Sequence, residues 1–151
     1  MDNEQVRAFC QALPHFAESE AWGHHLCFWV GDRDIGGRMF AVIDIEGTGD
    51  GVLSFHCGPE RFHELCEIEG VISAPYSARN FWVLVQRWNA LRPRQIEEEL
   101  RLAHELIYAK LPKRTKTILA MPEKERKQLI HDKRDRARKK LLAAQRATKK
   151  S

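Results

Sequence analysis

The sequence predicts an α+β fold: two layers, one antiparallel sheet of about five strands with helices on one side, in the order α-βββ-α-β-β-α, and a basic C-terminal helical tail. Three observations predict it. Apolar residues recur at helical spacing in three separate stretches, near the start, after residue 58 and across residues 93–111. Between these stretches lie short runs alternating with period two, bounded by Gly-rich turns. Every Phe, Tyr and Trp lies at or before Tyr108, so the last forty-odd residues lack the large anchors a core of their own needs.

In chain order, Val6, Phe9, Cys10 and Leu13 fall on one face of a helix over residues 3–13, and Pro14 stops it. Residues 24–30 read as a strand, with Leu26, Phe28 and Val30 on one side and His25, Cys27 and Trp29 on the other. After a polar turn over residues 31–37, residues 38–45 form a second strand, and 52–56 a third beyond the glycine-rich turn at 47–51. Pro59 and Glu60 suit the first turn of a helix, whose buried side is Phe62, Leu65 and Cys66 and which Gly70 ends. A short apolar run over 71–74 and a strand over 81–88 follow. The strongest helical signal starts at Pro93, with Ile96, Leu100, Ala103, Ile107 and Leu111 in step; Glu97, Glu98 and Glu99 read as its solvated outer face. The domain boundaries that follow are an α+β body at 1–111, a basic linker at 112–121, and a basic tail at 122–151. The tail is expected to be a solvated or partly disordered helix, since its apolar stripe of Ile130, Ala137, Leu141 and Ala144 is thin and broken by Arg134.

The net charge of +4 over 151 residues conceals a division. Residues 1–110 hold 10 Lys and Arg against 17 Asp and Glu, a net of −7; residues 111–151 hold 15 against 4, a net of +11. An acidic body carrying a basic arm points to a polyanionic partner for the arm. Lys113, Arg114, Lys116, Arg134, Arg136, Arg138, Lys139 and Lys140 are the residues placed to neutralise phosphates, which gives affinity and salt dependence without reading sequence. A second candidate surface is a groove on the body, where Trp22, His24, Arg38, Tyr76, Arg79 and Trp82 bring aromatic and basic character together for stacking unpaired bases; packing explains the same aromatics as core or rim.

Other chemistry is weaker. His63, Cys66 and Glu67 have helical ligand spacing next to His56 and Cys57, but neighbouring strand residues point to opposite faces and Cys66 belongs to an apolar side, so no metal is expected. Cys57 precedes a helix start, where a thiol is activated, yet the adjacent His56 is expected to face away from it. The four cysteines form no CxxC pair and read as reduced. The turn at 47–51 joins strand to strand, so it is no dinucleotide fingerprint, and no cofactor is expected. The acidic start Met1-Asp2-Asn3-Glu4 and the absence of long apolar runs lead to the expectation of a cytoplasmic protein.

Leu13-Pro14, Trp22-Gly23-His24, Arg38-Met39-Phe40-Ala41, Leu53-Ser54-Phe55 followed by Cys57 and Pro59-Glu60, and Ala74-Pro75-Tyr76 followed by Trp82-Val83 stand in an order that resembles the MmcQ/YjbR-like family of small bacterial proteins. The likeness runs over about residues 5–111. It implies a two-layer double-wing α+β fold, like that of secretion chaperones, and predicted DNA binding, without an established reaction. Arg38 and His56 stand where family members often carry Lys, and the basic tail lies beyond the likeness. The resulting expectation is a non-enzymatic protein that binds nucleic acid, DNA first, through the tail and the body groove. The alternatives left open are a chaperone-like protein-interaction module or homodimer, and a small-molecule enzyme using Trp22, His24 and Tyr76.

Overall fold

Asp2 begins the first helix by accepting the Gln5 backbone N–H on its side chain at 2.9 Å, which satisfies one of the donors a helix start leaves open. A computed structural model describes residues 1–21, 23–46, 49–75 and 80–149. In that order it contains helix α1 (Asn3–Gln11), strands β1 (Phe16–Ala21) and β2 (His25–Val30), a 3-10 turn (Arg33–Ile35) and strands β3 (Arg38–Asp44) and β4 (Leu53–His56). Helix α2 (Pro59–Cys66), strands β5 (Val71–Ser73) and β6 (Trp82–Val85), and helices α3 (Pro93–Lys110), α4 (Lys113–Leu119) and α5 (Glu123–Lys149) complete the chain.

The strands make one sheet of six in the order β1-β2-β3-β4-β6-β5, every neighbouring pair antiparallel. The expected α+β class holds; the additional strand is β1. Its sequence, Phe-Ala-Glu-Ser-Glu-Ala, carries no apolar alternation because it is an edge strand. Glu18 faces α1 and accepts from Arg7 Nε at 3.0 Å and from Arg7 Nη2 at 2.6 Å. The turn expected at 31–37 opens with Asp32 capping the 3-10 turn through the Asp34 N–H.

One face of the sheet carries the core. The register aligns Leu26, Ile43, Leu53, Val85 and Val71 in one row, and Phe28, Ala41, Phe55 and Val83 in the next. A bulge between Phe28 and Trp29 leaves Phe40 as the extra residue on β3, so both Phe40 and Ala41 are fully buried. Onto these rows pack Val6 and Cys10 of α1, Leu65 of α2, and Ile96, Leu100, Ala103 and Ile107 of α3. Burying one large aliphatic or aromatic side chain contributes roughly 1.5–3 kcal/mol, so this layer dominates stability.

Two polar residues enter the layer on α3. His104 donates from Nε2 to the Pro14 carbonyl at 2.6 Å and meets the Phe40 ring edge-on. Glu99 is buried and paired with Arg61 of α2. The sequence reading of Glu97, Glu98 and Glu99 as a solvated face is therefore corrected at Glu99: position 99 lies three residues after Ile96, on the apolar side of the helix, where Arg61 supplies the counter-charge.

Residues 112–121, read from the sequence as a basic linker, contain helix α4. Its Thr115, Ile118 and Leu119 are buried, at i, i+3 and i+4. The loop over 31–37 makes room for it. A Cβ on Gly36, at φ +88°, would run into the Thr115 hydroxyl, and one on Gly31 would press on Leu119 at 3.3 Å.

Candidate nucleic-acid interface

The basic extension divides at Asp135. Before it, Leu129 and Ile130 of α5 pack against the core, and Arg126 Nη1 donates to the carbonyls of Leu119 and Met121 at 3.3 Å each. Arg134 then clasps the 3-10 turn. Its Nε donates to Asp34 at 2.6 Å and its Nη2 to Asp32. The Arg134 hydrogen bond is the main reason that the Asp34 carboxyl is held below the usual carboxylate range. The same bond raises the Arg134 guanidinium. The residue that breaks the apolar stripe is thus the one that ties the helix down.

From residue 136 to residue 149 every described residue of α5 is exposed. These 14 positions hold Arg136, Arg138, Lys139, Lys140, Arg146 and Lys149 and no acidic residue. At 1.5 Å per residue the segment runs about 21 Å. With 100° per residue, the docked seam of Ile130 and Arg134 continues as Ala137, Leu141, Ala144 and Thr148, and the six cations fall away from it. Leu141 and Leu142 are exposed. Asp135 accepts from Arg138 and Lys139 at 3.2 Å each, exposed contacts worth little in water and easily exchanged for a phosphate. Arg136 and Lys140 have no ion pair among the described residues.

The remaining basic candidates are spread. Lys113 and Arg114 are exposed at the first turn of α4. Lys116 is half-buried; its Nζ donates to the Ala109 carbonyl at 3.1 Å and lies 5.3 Å above the Tyr108 ring, so it closes the end of α3.

The body groove is only partly as the sequence suggested. The sheet face opposite the helices holds a cleft of about 730 Å³. Trp82 lines it. His24 does not: it sits in the turn between β1 and β2, with Nδ1 2.9 Å from Glu46. Arg38 is exposed at the start of β3, across from Val30. Trp22, Tyr76 and Arg79 lie outside the described residues. The neighbours of Trp82 that sequence reasoning passed over are Met39, Val42, Ser54, Asn80 and Leu84. For Val42, Ser54 and Leu84 the signal was the strand alternation itself, since they share one register row on the face away from the core; alternation puts Met39 on the side of Ala41 and Ile43, and the bulge at Phe40 turns it to the cleft face.

Outside the cleft lining, next to Trp82, stands a His–Lys contact. The His56 ring is 6.3 Å from the Trp82 ring, and Lys110 Nζ is 3.2 Å from His56 Nε2. Burial and then the Lys110 charge push the imidazole below its ordinary pKa. A neutral ring therefore accepts from the ammonium. Burial raises the Cys57 thiol to about 11, and its Sγ donates to the Phe81 carbonyl at 3.2 Å. Among the described residues no group of three or more His, Cys, Asp and Glu is arranged to hold a metal ion, and no helix is long and apolar enough to cross a membrane.

Comparison with known proteins adds the family. The YjbR family model matches residues 11–106. The chain belongs to the YjbR family. The matched span runs from the end of α1 into α3, so α4 and α5 lie beyond it. Among solved structures, the crystal structure of the Deinococcus radiodurans protein DR2400, described with a DUF419 domain, is similar at a TM-score of 0.68 and 28% identity, covering 81% of this chain and 90% of that one. No curated protein matches the chain. As a YjbR member, the chain presents the family's sheet-and-helix body with a cationic helix fastened to it.

Proposed function

We propose that this YjbR-family protein is a non-catalytic, cytoplasmic nucleic-acid-binding protein, DNA being the expected form, and that the exposed half of α5 is its main contact. The observation that carries this reading is the segment 136–149: six cations, no acid, fully exposed, and held in place from its docked half by the Arg134 clasp. A solvated helix needs no such imbalance for solubility. A helical rod of one sign is suited to a phosphate backbone, where binding releases counterions and carries no sequence preference. Lys113 and Arg114, exposed at the start of α4, add a second pair of cations apart from the arm.

The test is fluorescence anisotropy with labelled duplex DNA across a salt series. It compares the parent chain with the full-length variant Arg136→Gln/Arg138→Gln/Lys139→Gln/Lys140→Gln. The parent should bind with a steep salt slope. The variant should lose at least about tenfold in affinity near 0.1 M salt, and its slope should flatten by up to about 0.9 per phosphate contact removed. Equal affinity and slope for the two proteins would overturn the reading. So would absence of parent binding at low salt, which would turn attention to a protein partner for the acidic body.

A further inference from the structure

The cleft on the open sheet face is not used by the arm. Its floor is the row Val42, Ser54 and Leu84, with Met39 and Trp82 beside it. The register gives it two ends. Asp44 and Asp50 lie at the end where β3 turns into β4, and the Asp44 carboxylate is occupied there with the backbone N–H groups of Glu46 and Gly49, at 3.1 and 2.9 Å. Trp82 and Asn80 lie at the other end, at the start of β6. At that end Lys110 reaches His56, whose ring adjoins Trp82. The acids therefore line one end of the cleft, and the cation stands outside its lining, beyond Trp82 at the other end.

The backbone at this end is held in an uncommon shape. Phe81 has φ +61°, a region that a bulky residue rarely adopts. Its carbonyl takes the Cys57 N–H at 2.9 Å, and its ring meets Phe62 edge-on. These contacts fix the residue immediately before Trp82.

We infer that the cleft binds an unpaired base of a single-stranded nucleic acid, stacked against Trp82, with the adjoining phosphate on Lys110. The inference rests on the nucleic-acid reading above and names the form of nucleic acid that the body takes. A half-buried indole in a largely apolar cleft offers a stacking surface that suits any base. Ser54 and Asn80 supply polar groups beside it. Lys110 gives one of its three donors to His56 and keeps two for phosphate oxygens. Lys113 and Arg114, three and four residues further along the chain, continue the positive charge. A duplex keeps its base faces covered, so the cleft discriminates between strands that the arm treats alike.

The experiment uses the full chain, a labelled twelve-residue oligo(dT) and a labelled hairpin duplex, read by anisotropy and by tryptophan fluorescence. Four variants are compared with the parent: Trp82→Leu, Trp82→Phe, Met39→Glu and Lys110→Gln. Far-UV circular dichroism identifies any variant that is not folded; if Trp82→Leu fails there, Trp82→Phe and Met39→Glu carry the test. Trp82→Leu should weaken oligo(dT) binding about 5- to 100-fold and leave duplex binding within about twofold. Trp82→Phe should restore most of the loss, and Met39→Glu should repel the strand. Lys110→Gln should lower the oligo(dT) salt slope by about 0.7. Oligo(dT) should quench parent fluorescence, and most of that quenching should vanish in Trp82→Phe.

If Trp82→Leu and Met39→Glu bind oligo(dT) as the parent does, or lose duplex and single strand equally, the inference is overturned while arm-dependent duplex binding leaves the first reading standing. If the parent binds neither nucleic acid at 50 mM salt, both readings fall together.

Discussion

Arg61 and Glu99 show opposite sides of one ion pair. Attraction appears on Arg61, whose guanidinium is raised mainly by its hydrogen bond to Glu99. The cost appears on Glu99, whose carboxyl is raised by burial more than Arg61 lowers it. Burial prevails at the glutamate because its side chain is 5% exposed while that of Arg61 is 37% exposed. Removing the cation is therefore expected to do more harm than neutralising the acid. Arg61→Leu should cost about 1–3 kcal/mol, less than the ~3–5 kcal/mol of a fully buried pair because Arg61 still reaches water; Glu99→Gln should cost less. The pH dependence distinguishes this from lost packing. A carboxyl whose folded pKa lies above its unfolded one is destabilising when charged, and the penalty disappears as pH falls through the folded value towards the unfolded one. The Arg61→Leu deficit should be largest near neutral pH and shrink towards pH 4, as read by urea unfolding at several pH values. A deficit constant with pH would mean that the loss is one of packing alone.

Helix α5 has two halves of different character, and the clasp at Arg134 is the boundary between them. Beyond Asp135, the 14 described residues 136–149 are all exposed, and an isolated helix of that length is marginal in water. Before it, Leu129 and Ile130 hold the helix on the core. Amide exchange should show protection through α4 and the first half of α5, then a steep fall after Asp135. Arg134→Gln should extend fast exchange back into residues 123–135 and leave α4 protected, since Thr115, Ile118 and Leu119 are buried independently. The same loosening should occur in the parent under acid: Asp34 has a depressed folded pKa, so its contribution is present above the ordinary aspartate range and is lost as pH falls through the lower, folded value. Uniform protection along α5, or no effect of Arg134→Gln, would refute a clasp. Elements with a period were legible in the sequence: α3 and strands β2 to β4 stand where apolar spacing put them. β1 was not, because its helix-side residues are Glu18 and Glu20 with Phe16, and an edge strand satisfied by Arg7 leaves no apolar alternation. The packing of α4 was hidden for a different reason: its three buried residues stand among four basic and polar ones, and their seat is a glycine loop some eighty residues earlier. The site divides likewise. The excess of cations after residue 135 is readable from composition, whereas the internal use of Arg134 and the pairing of Lys110 with His56 depend on contacts 100 and 54 residues apart in the chain.

Across the whole molecule, charge and shape are arranged together. The body is acidic and the extension is basic, yet only Arg134 of the extension is spent on a body acid among the described ion pairs. The six cations of residues 136–149 are displayed away from the docking seam, while the body carries the net negative charge. A polyanion approaching from the body side meets repulsion, and one approaching the arm meets attraction, so the molecule orients its partner before contact. Glu97, half-buried, and Glu98, exposed, lie on α3 without an ion pair to the arm. Their charges act on a distant strand only through the solvent. Glu97→Gln/Glu98→Gln should therefore speed association with DNA by about two- to threefold at 10 mM salt, where the Debye length is ~30 Å, and leave it unchanged near 0.3 M, where the screening is several times stronger. Dissociation should be unaffected at both. Stopped-flow anisotropy separates the two rates. An effect on dissociation, or one that persists at high salt, would place these glutamates in direct contact with the strand and would overturn the orientation of the complex argued from the charge distribution.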